Sequence, residues 1–137
     1  MYLRYMRKFI ILTLLLSPML ASAQKTISLK RKYLGSYVGM IPGYKMQSSE
    51  DIMFVTQSRI LIKIGKNQVE MTVGGNMMFG TYEVMFEAKK YYLLDVTIDD
   101  QLATERIMVY KSGKHLSRDG MYPQPVTELN KMKKSRR

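Results

Sequence analysis

The chain has 137 residues, enough for one domain, with a formal charge of +11, no cysteine, no tryptophan and one histidine. Without cysteine, and with His115 alone, it cannot build a disulfide or a zinc site of the usual His/Cys kind. Three of the positive charges, Arg4, Arg7 and Lys8, precede residue 24, which leaves +8; five more lie in residues 131–137, which leaves +3 for the stretch between.

Arg4, Arg7 and Lys8 open the chain, Phe9 to Leu16 is an apolar run, Ser17-Pro18 breaks it, and Ala21-Ser22-Ala23 offers the small residues a signal peptidase reads. This layout predicts a secretory signal peptide over residues 1–23, cleaved after Ala23. The apolar run is shorter than the roughly 20 residues a spanning helix needs, so no transmembrane span is expected after cleavage. No cysteine follows it to carry a lipid, so a lipoprotein is not expected. The expected localisation is exported, either periplasmic or extracellular and surface-associated.

Residues 24–130 are expected to form a single β domain. Gln24 to Lys32 is a polar, basic lead-in, and Tyr33 to Ile41 is the first strand, with Gly35, Tyr37 and Gly39 on one face. Pro42-Gly43 ends it, because proline lacks the ladder donor and glycine supplies unusual backbone angles. A polar turn at Ser48 to Asp51 precedes a short strand at Ile52 to Val55. Arg59 to Ile64 and Gln68 to Val73 each alternate with period two across Gly65-Lys66-Asn67, which predicts a hairpin with Ile60, Ile62, Ile64, Val69, Met71 and Val73 inward. After Gly74-Gly75-Asn76 the alternation resumes from Phe79 to Lys111 as three strands, with Gly80, Tyr82, Val84 and Phe86 on one face and Tyr92, Leu94, Val96 and Ile98 on another. His115 to Arg118 is a further short strand, Tyr122 to Pro125 runs extended, and Val126 to Lys134 is expected to hold a turn or two of helix. Residues 131–137 are expected to be a solvated basic tail.

Strands recurring between Gly-rich turns, with no long amphipathic helix, predict an all-β antiparallel meander, a closed or partly closed barrel of about seven or eight strands. Closure would hide the sheet edges. Gly35-Ser36-Tyr37 is echoed by Gly80-Thr81-Tyr82. On Gly35-x-Tyr37 and the strand pattern from Tyr33 to about Leu116, the chain resembles lipocalin-like (calycin) proteins, whose first strand carries a G-x-W element. Tyr37 stands where that family has tryptophan, and the flanking arginine and second motif are not recognisable. The resemblance implies an eight-stranded barrel that often holds a ligand.

Catalytic chemistry has few candidates. The carboxylate pairs Glu50-Asp51 and Asp99-Asp100 fall in turns, where such groups ordinarily bond nearby backbone N–H groups. His115 follows a turn, and Gly74-Gly75 does not belong to a phosphate-cradling motif. No catalytic residue, metal ligand or cofactor is therefore assigned. The interior candidates are Tyr37, Tyr82, Phe86, Tyr92 and Leu94, as walls and hydroxyls of a pocket for a small apolar or amphiphilic ligand; the alternative is a filled core. Lys131, Lys133, Lys134, Arg136 and Arg137 are candidate contacts to an anionic surface. Nucleic acid is not expected as a partner, because basic residues do not interleave with aromatics along a strand face. Three functions stay open: an exported non-enzymatic binding module; an envelope-associated accessory protein acting through protein or anionic-surface contacts; and, third, an enzyme whose only candidate actors are carboxylates and tyrosines, which would need Asp95, Tyr91 and His115 to converge in one cleft.

Overall fold

A computed structural model describes residues 26–99 and 104–134. The expected signal peptide, Asp100, Arg136 and Arg137 lie outside the described residues. A short 3-10 helix, Arg31–Tyr33, leads into ten strands: β1 (Gly35–Ile41), β2 (Tyr44–Gln47), β3 (Ile52–Val55), β4 (Ser58–Ile64), β5 (Gln68–Val73), β6 (Asn76–Glu87), β7 (Tyr91–Ile98), β8 (Glu105–Tyr110), β9 (His115–Asp119) and β10 (Thr127–Lys131).

The protein is an all-β antiparallel barrel. Strands β4 to β10 follow one another around the wall, and β1 closes it by pairing with β4 on one side and β10 on the other. The hairpin β2–β3 forms a separate two-stranded sheet within the connection from β1 to β4. Closure leaves no unpaired edge in the main sheet, which explains how a chain without disulfides holds eight short strands together.

Alternation sets the core. Tyr37, Ile60, Ile62, Met71, Leu94, Val96, Ile107, Val109, Leu116 and Leu129 expose none of their surface, and each faces inward on its strand. Gly74 and Gly75, both at positive φ, make the tight β5–β6 turn that β-branched residues resist. Gly80 lies where β6 leaves β5 to run along β7; a β-carbon there would collide with the Thr97 carbonyl.

Three sequence expectations are corrected. Val126 to Lys134 does not form helix: its centre is β10, paired with both β9 and β1. The run was too short to separate the two periods, and the open flanks of β1 and β9 decided it. Lys131 consequently belongs to the barrel rather than to a tail. Phe86 is not an inward residue. The β6–β7 register slips between Val84 and Phe86, so that Val84 faces Leu94 while Phe86 faces Leu93. Met85 is the extra residue of a β-bulge, which reverses the alternation and turns Phe86 outward, 44% exposed.

Candidate functional site

The barrel has two unlike ends. At the end where β1 begins, tyrosines fill the mouth. Tyr33, from the 3-10 helix, is buried and meets Tyr92 edge-to-face at 5.2 Å. Its hydroxyl donates to the Lys111 carbonyl, that of Tyr37 to the Tyr33 carbonyl at 2.7 Å, and that of Tyr82 to the Gly65 carbonyl at 2.7 Å. Tyr92 bonds Glu87, and Lys111 lies 5.0 Å from the Tyr92 ring centroid. Each hydroxyl finds a partner within the protein, as a buried phenol requires. Burial pushes the Tyr37 phenol up to about 12, with Tyr33 adding to the rise; burial also raises Tyr82 and Tyr92.

Four of the five expected interior residues, Tyr37, Tyr82, Tyr92 and Leu94, therefore lie inside the barrel, packed among Ile62, Met71 and Val84. Phe86 does not join them. Two shallow clefts lie on the outside of the wall, one against Lys63, Gln68, Glu70, Phe79 and Thr81, the other against Arg59, Leu61 and Thr72. Neither includes an interior tyrosine.

The opposite end, where the β2–β3 hairpin emerges, closes on a buried ion pair that the sequence did not suggest. Arg118 of β9 and Glu105 of β8, each 2% exposed, form two parallel bonds of 2.9 and 2.7 Å, and Arg118 also donates to the Gln124 side chain at 3.0 Å. The pairing is bidentate, the strongest form available to these groups. Glu105 and Arg118 do occupy inward positions of their strands, which was the available signal. On the hairpin itself Ile52, Met53 and Phe54 stand exposed, Phe54 by 72%.

Charge separates along the barrel axis. The tyrosine end gathers the lead-in with Lys30, Arg31 and Lys32, the turns bearing Lys66, Lys89, Lys90, Lys111 and Lys114, and the chain beyond β10 with Lys133 and Lys134. Among the described residues these segments contain no Asp or Glu. Glu87, the last residue of β6, is the carboxylate at this rim, and Lys111 pairs with it at 2.7 Å. The hydrogen bond from Lys111, helped by that from Tyr92, holds the Glu87 carboxyl below its usual range. Lys131 bonds the Lys32 carbonyl and lies 5.9 Å from the Tyr37 ring centroid, tying β10 to the lead-in. At the hairpin end the β2–β3 turn carries Glu50 and Asp51, with Lys45 on β2 and Arg59 at the start of β4, while Asp99 follows β7 and borders the outer cleft with Lys63 and Gly65. Compared with protein-family models, curated proteins and solved structures, the chain matches none of them.

Of the expected surface contacts, Lys133 and Lys134 are exposed at the basic end, and Lys131 is half-buried beside them. The turn lysines were missed as a group. In an up-and-down meander alternate turns share one end, so Gly65-Lys66-Asn67, Ala88-Lys89-Lys90 and Lys111 to Lys114 add their charges in space while the intervening turns face away. Sorting the turns by parity would have revealed it. His115 lies on the outer face, its ring stacked on Tyr110 at 4.3 Å and its Nδ1 3.4 Å from the Ser112 hydroxyl. Asp95 belongs to a different outer row, opposite Glu83 and Arg106.

Proposed function

We propose that this chain is an exported, non-enzymatic β-barrel binding module that holds an anionic partner against the tyrosine end of its barrel. The observation that carries the reading is the convergence of the Lys66, Lys89–Lys90 and Lys111–Lys114 turns with both described chain ends. A cluster of one sign raises the local concentration of the opposite charge and accelerates encounter. Exposed lysines at Lys66, Lys89, Lys90, Lys114, Lys133 and Lys134 are free to reach a partner, whereas Lys111 and Lys131 serve the barrel.

A heparin column eluted with salt tests this. Wild type is expected to elute late, and K89E/K90E/K114E much earlier, with unchanged circular dichroism. Co-elution of the two proteins would remove the basic end as a contact face. The second reading, a small apolar ligand inside the barrel, requires the packed tyrosines Tyr33, Tyr37 and Tyr92 at the mouth to give way. Native mass spectrometry of protein purified from its own envelope checks it: a small added mass lost on denaturation supports an interior ligand, and a bare mass argues against one.

A further inference from the structure

The wall next to the basic end is banded along the barrel axis. Beyond the turn lysines, the outer side chains of β6 to β9 form an aromatic row. Phe86 meets Tyr91 edge-to-face at 6.0 Å, Tyr91 meets Tyr110 at 6.5 Å, and Tyr110 stacks on His115. Phe86, Leu93 and Met108 stand opposite one another on successive strands, and the bulge leaves Met85 exposed beside them. Glu87 at the rim is paired with Lys111, and on β6 to β9 the other outer carboxylates, Glu83, Asp95 and Asp119, stand in the next row as cross-strand neighbours with Arg106; on β10, Glu128 extends the Phe86 row beyond Ser117.

We infer that this face docks on a bilayer containing anionic phospholipid, the barrel leaning on its β6–β9 side with Lys89, Lys90 and Lys114 at the lipid phosphates; this rests on the anionic-partner reading above. Two independent features converge on it. Clustered lysines gain from the negative surface potential. Tyrosine, with an apolar ring and a polar tip, suits the membrane–water interface, and adjoining Phe, Leu and Met suit the acyl boundary. Glu83, Asp95 and Asp119 lie on the side away from the lysines, and the Glu87 charge at the rim is paired with Lys111. The bulge at Met85 creates the face, because without it Phe86 would point into the core. Nucleic acid fits less well. Base stacking needs open ring faces, whereas Phe86, Tyr91 and Tyr110 meet at 62–65° and the Tyr110 ring is covered by His115. In this orientation the β2–β3 hairpin, with Phe54 exposed, is held away from the lipid.

Co-sedimentation with phosphatidylcholine vesicles, with and without phosphatidylglycerol, tests the inference. Binding is expected only with phosphatidylglycerol and is expected to fall as salt rises. Removing three lysines at about 1 kcal/mol each lowers affinity by about a hundredfold, and K89E/K90E/K114E should lose at least that. Y91S/Y110S is expected to weaken vesicle binding while leaving heparin elution unchanged, a split that loss of folding could not produce. The chain has no tryptophan and ten tyrosines, so the site is read by difference: brominated lipid should quench part of the wild-type tyrosine emission, and that quenched part should be missing in Y91S/Y110S. Equal binding to neutral vesicles overturns the inference. So does heparin or single-stranded oligonucleotide binding without vesicle binding, which would leave the anionic-partner reading standing. Failure to bind heparin and vesicles alike overturns both.

Discussion

Arg118 and Glu105 place a full ion pair inside the barrel end, with Gln124 bonded to Arg118 and buried Thr127 opposite it on β10. Such a pair gains little over a well-packed apolar substitute, because desolvation offsets the attraction, but leaving one charge alone is costly. Glu105→Leu is therefore expected to destabilise the protein by about 3–5 kcal/mol, while E105L/R118M loses less than Glu105→Leu alone; urea unfolding of both variants checks this. The tyrosine end responds to alkali instead. The Tyr37 phenol is raised to about 12 by burial. A phenol that ionises later in the folded chain than in the unfolded one contributes stability fully present below the unfolded value near 10. That contribution, roughly 2–3 kcal/mol for such a shift, is lost as pH climbs from about 10 to about 12. Unfolding free energy should decline across that window, and less so in Tyr37→Phe.

At the scale of elements, β6 carries the most information. Its alternation was legible up to Val84, and one extra residue then reversed it. A bulge leaves no mark in a period-two pattern, because Phe86 is apolar and suits either face. The distinction is measurable. Leu94→Ala, deep in the core, should cost about 2–5 kcal/mol, whereas Phe86→Ala on the outer face should cost only about 0.5–1.5 kcal/mol, the worth of its contact with Tyr91. Strand β10 is the second case. Lys131 is its last residue and reaches back to the Lys32 carbonyl, so a chain ending at Asn130 removes part of the wall. A chain ending at Lys134 is expected to keep the wild-type thermal midpoint, and one ending at Asn130 to melt several degrees lower.

For the molecule as a whole, the meander converts a scattered set of turn lysines into one charged end. Self-repulsion there destabilises the native state at low ionic strength. Raising salt until the screening length falls from about 30 Å to about 8 Å should therefore raise the melting temperature. A melting temperature that falls instead would mean that pairs such as Lys111–Glu87 outweigh the repulsion. The same end carries both the proposed partner site and the tyrosine plug, so stability and binding can be separated only by variants in the turns, not by variants in the plug.

Much of this was legible in the linear chain. Alternation in RILIKI, QVEMTV and YYLLDVTI determined strands, inward faces and most of the core, because a pleated strand sends successive side chains to opposite faces and only one face is dry. The placing of Tyr37, Tyr82, Tyr92 and Leu94 in the interior followed from that alone. Tertiary structure decided what depends on pairing rather than pattern. The free flanks of β1 and β9 recruited 127–131 as a strand. The bulge at Met85 moved Phe86 outside, Arg118 met Glu105 across two strands, and closure of the wall brought turns far apart in sequence into one basic end.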